Sequence, residues 1–256
     1  MSSEIAKYNL DRDKNVQGKD WLSTYGNWFS DEENIQLFIN TVKPILPDGE
    51  LDILYAASAS GLLGEELIKS LGRGRLTLVD ISEKHLSENH NPNTVKICAD
   101  LLEMDLGKKF DVILVRSSLD YFPSRSLQVK VLKIIRNHLK ESSVFINQPA
   151  YISDIEQRNI IRNIYNTNDK IGNRFFQSSD LASIYDEAGL SDPEKIGHGK
   201  EMNLTEQDHV ERYGLVIEDI KSIQTMLKDS KSNIQITKDG YNLKFEFPIF
   251  LARLKK

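Results

Sequence analysis

A single cysteine among 256 residues leaves the chain with no internal disulfide to staple its fold. That scarcity excludes the disulfide-framed secreted class and agrees with a reducing compartment. The one thiol, Cys98, stands in Val95-Lys96-Ile97-Cys98-Ala99, which reads as a buried strand, so a small core thiol is expected. No apolar run approaches the ~20 residues of a membrane-crossing helix. The start, Met1 to Asn15, lacks the apolar centre of a secretory signal. The expectation is a cytoplasmic protein without a membrane partner. Basic residues are not in excess either. With 33 Lys+Arg against 38 Asp+Glu the formal charge is −5, which argues against nucleic acid as a partner. The basic face Lys130, Lys133, Asn137 and Lys140 reads as solvated helix surface. The histidines, at 85, 90, 138, 198 and 209, lack metal-ligand spacing, so no metal is expected. No Gly-x-Ser-x-Gly elbow supports a hydrolase triad.

What is present is a globular composition, 39% hydrophobic and 28% charged, without repeats. The first ~29 residues are polar, with aromatics at Tyr8, Trp21, Tyr25, Trp28 and Phe29. A helix follows, with Ser30 as its expected cap and Leu37, Phe38, Val42 and Ile45 as its core face; Pro47-Asp48-Gly49 ends it. Then strands and helices alternate. Strands are expected over 51–57, 76–80, 95–99, 110–115 and 143–147, and helices over 62–71, 82–89 and 124–139. Near-continuous apolar strands alternating with helices predict an α/β fold, a doubly wound parallel sheet covered on both faces. Later segments read as helices over 152–165, 179–187 and 206–228, then strands over 233–254 around Lys238-Asp239-Gly240. The sixth strand is either 194–197 or 234–238. The chain divides into an N-terminal helical lid segment, 1–46, and a main domain, 47–256. The main domain carries an insertion at about 151–176 and a helical region at about 205–230.

Ligands in such sheets bind beyond the carboxyl ends of the strands. After the first strand comes Tyr55-Ala56-Ala57-Ser58-Ala59-Ser60-Gly61, almost all small residues, leading into a helix whose N-terminus offers free N–H groups. After the second comes Asp80, 80 − 61 = 19 residues beyond Gly61, where a carboxylate can grip ribose hydroxyls. After the third comes Asp100, which can accept from an adenine amino group. After the fourth comes Arg116-Ser117-Ser118-Leu119-Asp120-Tyr121, able to flank a bound group.

These segments in this order resemble the class I S-adenosylmethionine-dependent methyltransferases. Leu54 to Gly61 stands where their first motif reads hydrophobic-Asp/Glu-x-Gly-x-Gly-x-Gly; Ala57 and Ala59 replace the first two glycines and Tyr55 replaces the acid. Leu78-Val79-Asp80-Ile81, Ala99-Asp100-Leu101 and Phe110 to Val115 match the later landmarks, followed by Glu187-Ala188-Gly189-Leu190 and a family-like final strand within Phe245 to Leu254. The resemblance implies a mostly parallel seven-stranded Rossmann-like sheet with S-adenosyl-L-methionine as cofactor. The implied cofactor contacts are Tyr55, Ala57, Ser58, Ala59, Gly61, Asp80, Ile81, Asp100, Leu101, Arg116 and Ser117. Asp120 is the candidate general base, and Tyr25, Trp28, Tyr121, Tyr151, Arg174 and Phe175 the candidate substrate contacts, with Trp21 beside them in the lid. The expected function is methyl transfer to a small-molecule acceptor. The alternatives are a non-catalytic binding or scaffold protein on a degenerate methyltransferase fold, favoured by the altered first motif, and an RNA methyltransferase, disfavoured by the charge. Substrate identity, the methylated atom and the oligomeric state are not legible.

Overall fold

The structure is a computed structural model that describes residues 24–168, 174–177, 180–229, 235–237 and 240–255. The expectations for Tyr8 and Trp21 lie outside the described residues, as does the turn at Lys238-Asp239. Asp31, not Ser30, caps the first helix, α1 (Glu32–Val42), by accepting the Asn34 N–H at 2.8 Å. The alternation follows: β1 (Asp52–Ala56), α2 (Leu62–Leu71), β2 (Arg75–Asp80), α3 (Glu83–Ser87), β3 (Val95–Cys98), β4 (Phe110–Arg116), α4 (Arg125–Asn137) and β5 (Leu139–Gln148). Ser82 and Ser124 cap α3 and α4 with their hydroxyls.

Strand order in the main sheet is β3-β2-β1-β4-β5-β10-β6, with β6 at Glu194–His198 and β10 at Pro248–Ala252. The pairs β1·β2, β1·β4, β2·β3 and β4·β5 are parallel, and β10 runs antiparallel between β5 and β6. This settles the sixth strand as 194–198. Segment 235–237 (β8) instead joins β7 (Met202–Thr205) and β9 (Gly240–Phe245) in a separate three-stranded antiparallel sheet. The pleat sends alternate residues to opposite cores. Ile53 and Tyr55 of β1, Val112 and Leu114 of β4, and Ile146 of β5 face one helix layer, with Phe38 and Leu67. Leu54, Ala56, Ile113, Val115 and Phe145 face the other, with Leu132 and Tyr185.

A third core lies under the small sheet, where α5 (Ile155–Thr167), α7 (Glu206–Tyr213) and α8 (Ile217–Asp229) pack Ile161, Ile164, Ile223 and Leu243 around Phe247 and Trp28. The helix expected over 206–228 is thus two, broken at Gly214. The remaining helix, α6 (Leu181–Ala188), packs Ile184 and Tyr185 on the main sheet. Cys98 corrects the expectation of a core thiol. It is exposed, because β3 is the edge strand and Val95 beside it is 54% exposed. No helix among the described residues is long and apolar enough to cross a membrane.

Candidate active site

The carboxyl ends of β1, β2 and β4 and the segment after β3 open into a cleft whose empty space, solvent at its mouth included, is about 900 Å³. Tyr55, Ala57, Ser58, Ala59, Asp80, Ile81, Asp100, Leu101, Arg116 and Ser117 all border it, with Phe29, His85 and Phe122. Gly61 does not. It caps α2 at φ 80°, and a Cβ there would stand 2.3 Å from Leu78 Cδ1, so its task is the close approach of helix to strand.

The small-residue turn carries strain. Ala57 and Ala59 hold φ of 52° and 50°, the left-handed region that costs an L-residue about 1–2 kcal/mol. Asp80 clamps the turn: its carboxylate accepts the Ala59 N–H at 2.8 Å and the Ser82 N–H at 2.9 Å. The turn therefore keeps a glycine-like shape where its first two motif positions lack glycine. Ala57→Gly and Ala59→Gly should each stabilise the protein by about 0.5–1 kcal/mol, relief of strain exceeding the greater freedom glycine gives the unfolded chain. Chemical denaturation of each variant checks this, and a loss of stability would mean the turn is unstrained. Ser117, after β4, is a third strained residue, at φ 46°.

A second, smaller cavity of about 380 Å³ of empty space adjoins the first and shares Phe29, Ser117 and Tyr121 with it. Its wall is aromatic: Tyr25, Tyr165, Phe176, Tyr213, Phe245 and Phe247 surround Asp120 and Arg174. These last two, expected to act separately, are paired. Arg174 Nη1 donates to Asp120 Oδ2 at 2.8 Å, both side chains are buried, and the guanidinium carbon lies 3.3 Å from the Tyr121 ring centre. A carboxylate so compensated is a poor free base. Arg212 of α7 stacks 4.5 Å from the Tyr25 ring and donates to the Tyr121 hydroxyl at 3.1 Å.

Three expected substrate contacts stand elsewhere. Trp28 lies over Arg116, 4.7 Å from ring centre to guanidinium, and packs on Phe247 at 4.0 Å. Tyr151 bridges Gln177 and Glu246 through its backbone. Phe175 turns into the main core because its N–H bonds Asp120 O at 3.0 Å and its carbonyl accepts from Gln128 Nε2 at 2.7 Å. Sequence reasoning missed Tyr165, Arg212 and Tyr213, whose helices carry no motif. It also missed His209, which is buried and bonded to Tyr165 Oη at 3.1 Å and Tyr241 Oη at 2.5 Å.

The strand order, the sheet edge that carries the cleft and the cleft itself define the class I methyltransferase fold. No family model matches the sequence, and no curated protein matches it by sequence. Solved structures do match. The YcgJ protein from Bacillus subtilis superposes with a TM-score of 0.69 at 14% identity, over 88% of this chain and 98% of that one. N-methyltransferase NodS from Bradyrhizobium japonicum, in complex with S-adenosyl-L-homocysteine, gives 0.53 at 14% identity over 94% and 97%. Magnesium protoporphyrin IX methyltransferase from Synechocystis, also with bound S-adenosylhomocysteine, gives 0.53 at 12% identity over 98% and 96%. At these identities the likeness is one of fold.

Proposed function

We propose that this protein is an S-adenosylmethionine-dependent methyltransferase acting on a small-molecule acceptor. The observation that carries the reading is the pair of abutting cavities: a larger one with carboxylates after β2 and β3, and an aromatic one that meets it at Phe29, Ser117 and Tyr121. The residues fit the cofactor. Asp80 and Asp100 would hold its ribose hydroxyls and adenine amino group, with Ile81 and Leu101 supplying apolar contact. The backbone of the Ala57–Ala59 turn would meet its amino-acid portion. Two buried groups of residues bordering the cleft, Arg116 Nη2 and Ser118 Oγ, lack a hydrogen-bond partner within the protein, as groups awaiting a ligand do.

When bound, the cofactor supplies a methyl group on an electrophilic sulfonium; the protein supplies orientation and electrostatics. The aromatic chamber excludes water from the acceptor. Burial pushes the hydroxyls of Tyr25 and Tyr165 well above the usual tyrosine range, so both stay protonated and can donate to an acceptor oxygen. Arg174, held in place by Asp120, favours negative charge on the accepting atom, so Asp120 acts as a positioning residue rather than the base. The lone exposed Cys98 suits a reducing cytoplasm.

Calorimetric titration tests the reading. Wild type should bind S-adenosylmethionine, and Ala57→Leu, which fills the cleft beside the turn, should lose at least ~100-fold in affinity, about 2.7 kcal/mol. Ala57→Gly should bind as wild type does, separating the bulk of leucine from any effect of the turn. Wild-type protein that fails to bind the cofactor would refute the assignment.

A further inference from the structure

We propose that Arg116 is the anion receptor of the larger cavity and makes it select the carboxylate, rather than the ammonium, of the cofactor's amino-acid end. The inference rests on the reading of that cavity as an S-adenosylmethionine site.

The pleat puts Tyr55, Asp80, Arg116 and Gln148 on one face of the main sheet, at the carboxyl ends of their strands. Arg116 follows Val115, which pairs with Ala56, so it stands level with Ala57 at the mouth of the strained turn. The residue is 6% exposed and its side chain is held on several sides. Nε donates to Gln148 Oε1 at 2.9 Å and Nη1 to the Phe29 carbonyl at 3.3 Å, while the guanidinium stacks on Trp28 and lies 5.7 Å from the Phe29 ring centre. Gln148 is itself fixed, because its Nε2 donates to the Phe247 carbonyl at 3.3 Å. Gly199 leaves room for that amide; a Cβ there would stand 2.4 Å from Gln148 Nε2.

Every one of these partners is neutral. No carboxylate among the described residues pairs with Arg116, and Nη2 has no hydrogen-bond partner. An arginine does not shed its proton in a protein, so this is a buried, uncompensated cation. Surface arginines such as Arg75 and Arg125 have their acids; this one borders a cleft instead.

The acids of the cleft do not offset it. Asp80 already clamps the backbone N–H groups of Ala59 and Ser82, and Asp100 accepts the Leu102 N–H at 2.9 Å. At the end of β1, where an acid would hold an ammonium, stands Tyr55. Burial pushes its hydroxyl up, so it stays neutral beside Arg116. A ligand's ammonium group therefore meets a neutral phenol and a guanidinium at this end, whereas a carboxylate meets the unpartnered Nη2 of a fixed, charged guanidinium.

The test is calorimetric binding to the full chain, with S-adenosylhomocysteine, its analogue lacking the carboxylate, its analogue lacking the amino group, and 5′-methylthioadenosine, which lacks both. In wild type, loss of the carboxylate should weaken binding at least tenfold and loss of the amino group less than threefold. In Arg116→Gln, checked for folding by thermal melting, S-adenosylhomocysteine should fall to the affinity of its decarboxylated analogue. If that variant does not fold, the wild-type comparison alone decides. Equal losses for the two analogues, or discrimination that persists in Arg116→Gln, would overturn the role of Arg116 while leaving the cofactor assignment intact. Failure of all four adenosine ligands to bind wild type would overturn both.

Discussion

Arg174→Met is expected to destabilise the protein by about 3–5 kcal/mol, because it strands the Asp120 carboxylate in an aromatic interior without its guanidinium. The side chains of the pair are only 4% and 6% exposed, and the contact is 2.8 Å long. Asp120→Asn should also destabilise, by leaving the guanidinium without its carboxylate, although the Tyr213 hydroxyl at 3.4 Å and the Tyr121 ring soften the loss. The informative variant is the double one. Once both charges are gone, most of the desolvation cost vanishes, so Asp120→Asn with Arg174→Met should be at least ~2 kcal/mol more stable than the sum of the singles predicts. Urea unfolding of the four proteins measures that coupling. Additivity within about 0.5 kcal/mol would show that the pair is not an energetic unit. If Arg174 favours a developing anion, the double variant should fold well and turn over its acceptor poorly, a separation that a purely structural pair would not produce.

The central strands of the first half, β1, β2 and β4, were legible because each is an apolar run bounded by turn chemistry and buried on both faces of the sheet. The cleft was legible for a related reason. In a parallel sheet the residues that follow successive strands arrive at one edge, so Asp80, Asp100 and Ser117 converge although the chain separates them. Non-local pairing was not legible. Nothing in Glu194–His198 says that it pairs with β10, and nothing in Gln235–Thr237 says that it belongs to a second sheet. The exposure of Cys98 follows from strand order, which an apolar run does not encode. Asp120 and Arg174 are 54 residues apart with no motif linking them, so each was read as a separate functional group rather than as half of a pair. Arg116 ends a clean strand pattern, where a charged residue reads as the start of a loop; only the packing of Trp28, Phe29 and Gln148 around it reveals a buried cation.

Acid should destabilise this protein through His209, to an extent comparable with the ion pair. The imidazole is fully buried between Tyr165 of α5 and Tyr241 of β9, 5.8 Å from the Tyr213 ring, with Arg212 of its own helix nearby. Burial, helped by the Arg212 charge, lowers its pKa from 6.5 to about 3. The folded protein therefore refuses a proton that the unfolded chain accepts below pH ~6.5. Above that pH the ring is neutral in both states, and its titration adds no cost to folding. As the pH falls from about 6.5 to about 3, the unfolded state binds more protons, and stability drops by up to about 1.4 kcal/mol per pH unit. Below about 3 the folded state takes the proton too, and this contribution levels off. Carboxylates held low in the fold, Asp52 and Glu65 among them, add their own losses at lower pH. His209→Gln isolates the histidine, because an amide can donate to one tyrosine hydroxyl and accept from the other without titrating. Denaturant midpoints at pH 7, 6, 5 and 4 should fall more steeply for wild type than for the variant, with the two curves converging or crossing in acid. Parallel curves would mean that His209 takes up its proton over the same pH range in the folded and the unfolded protein, and that burial does not hold the ring neutral.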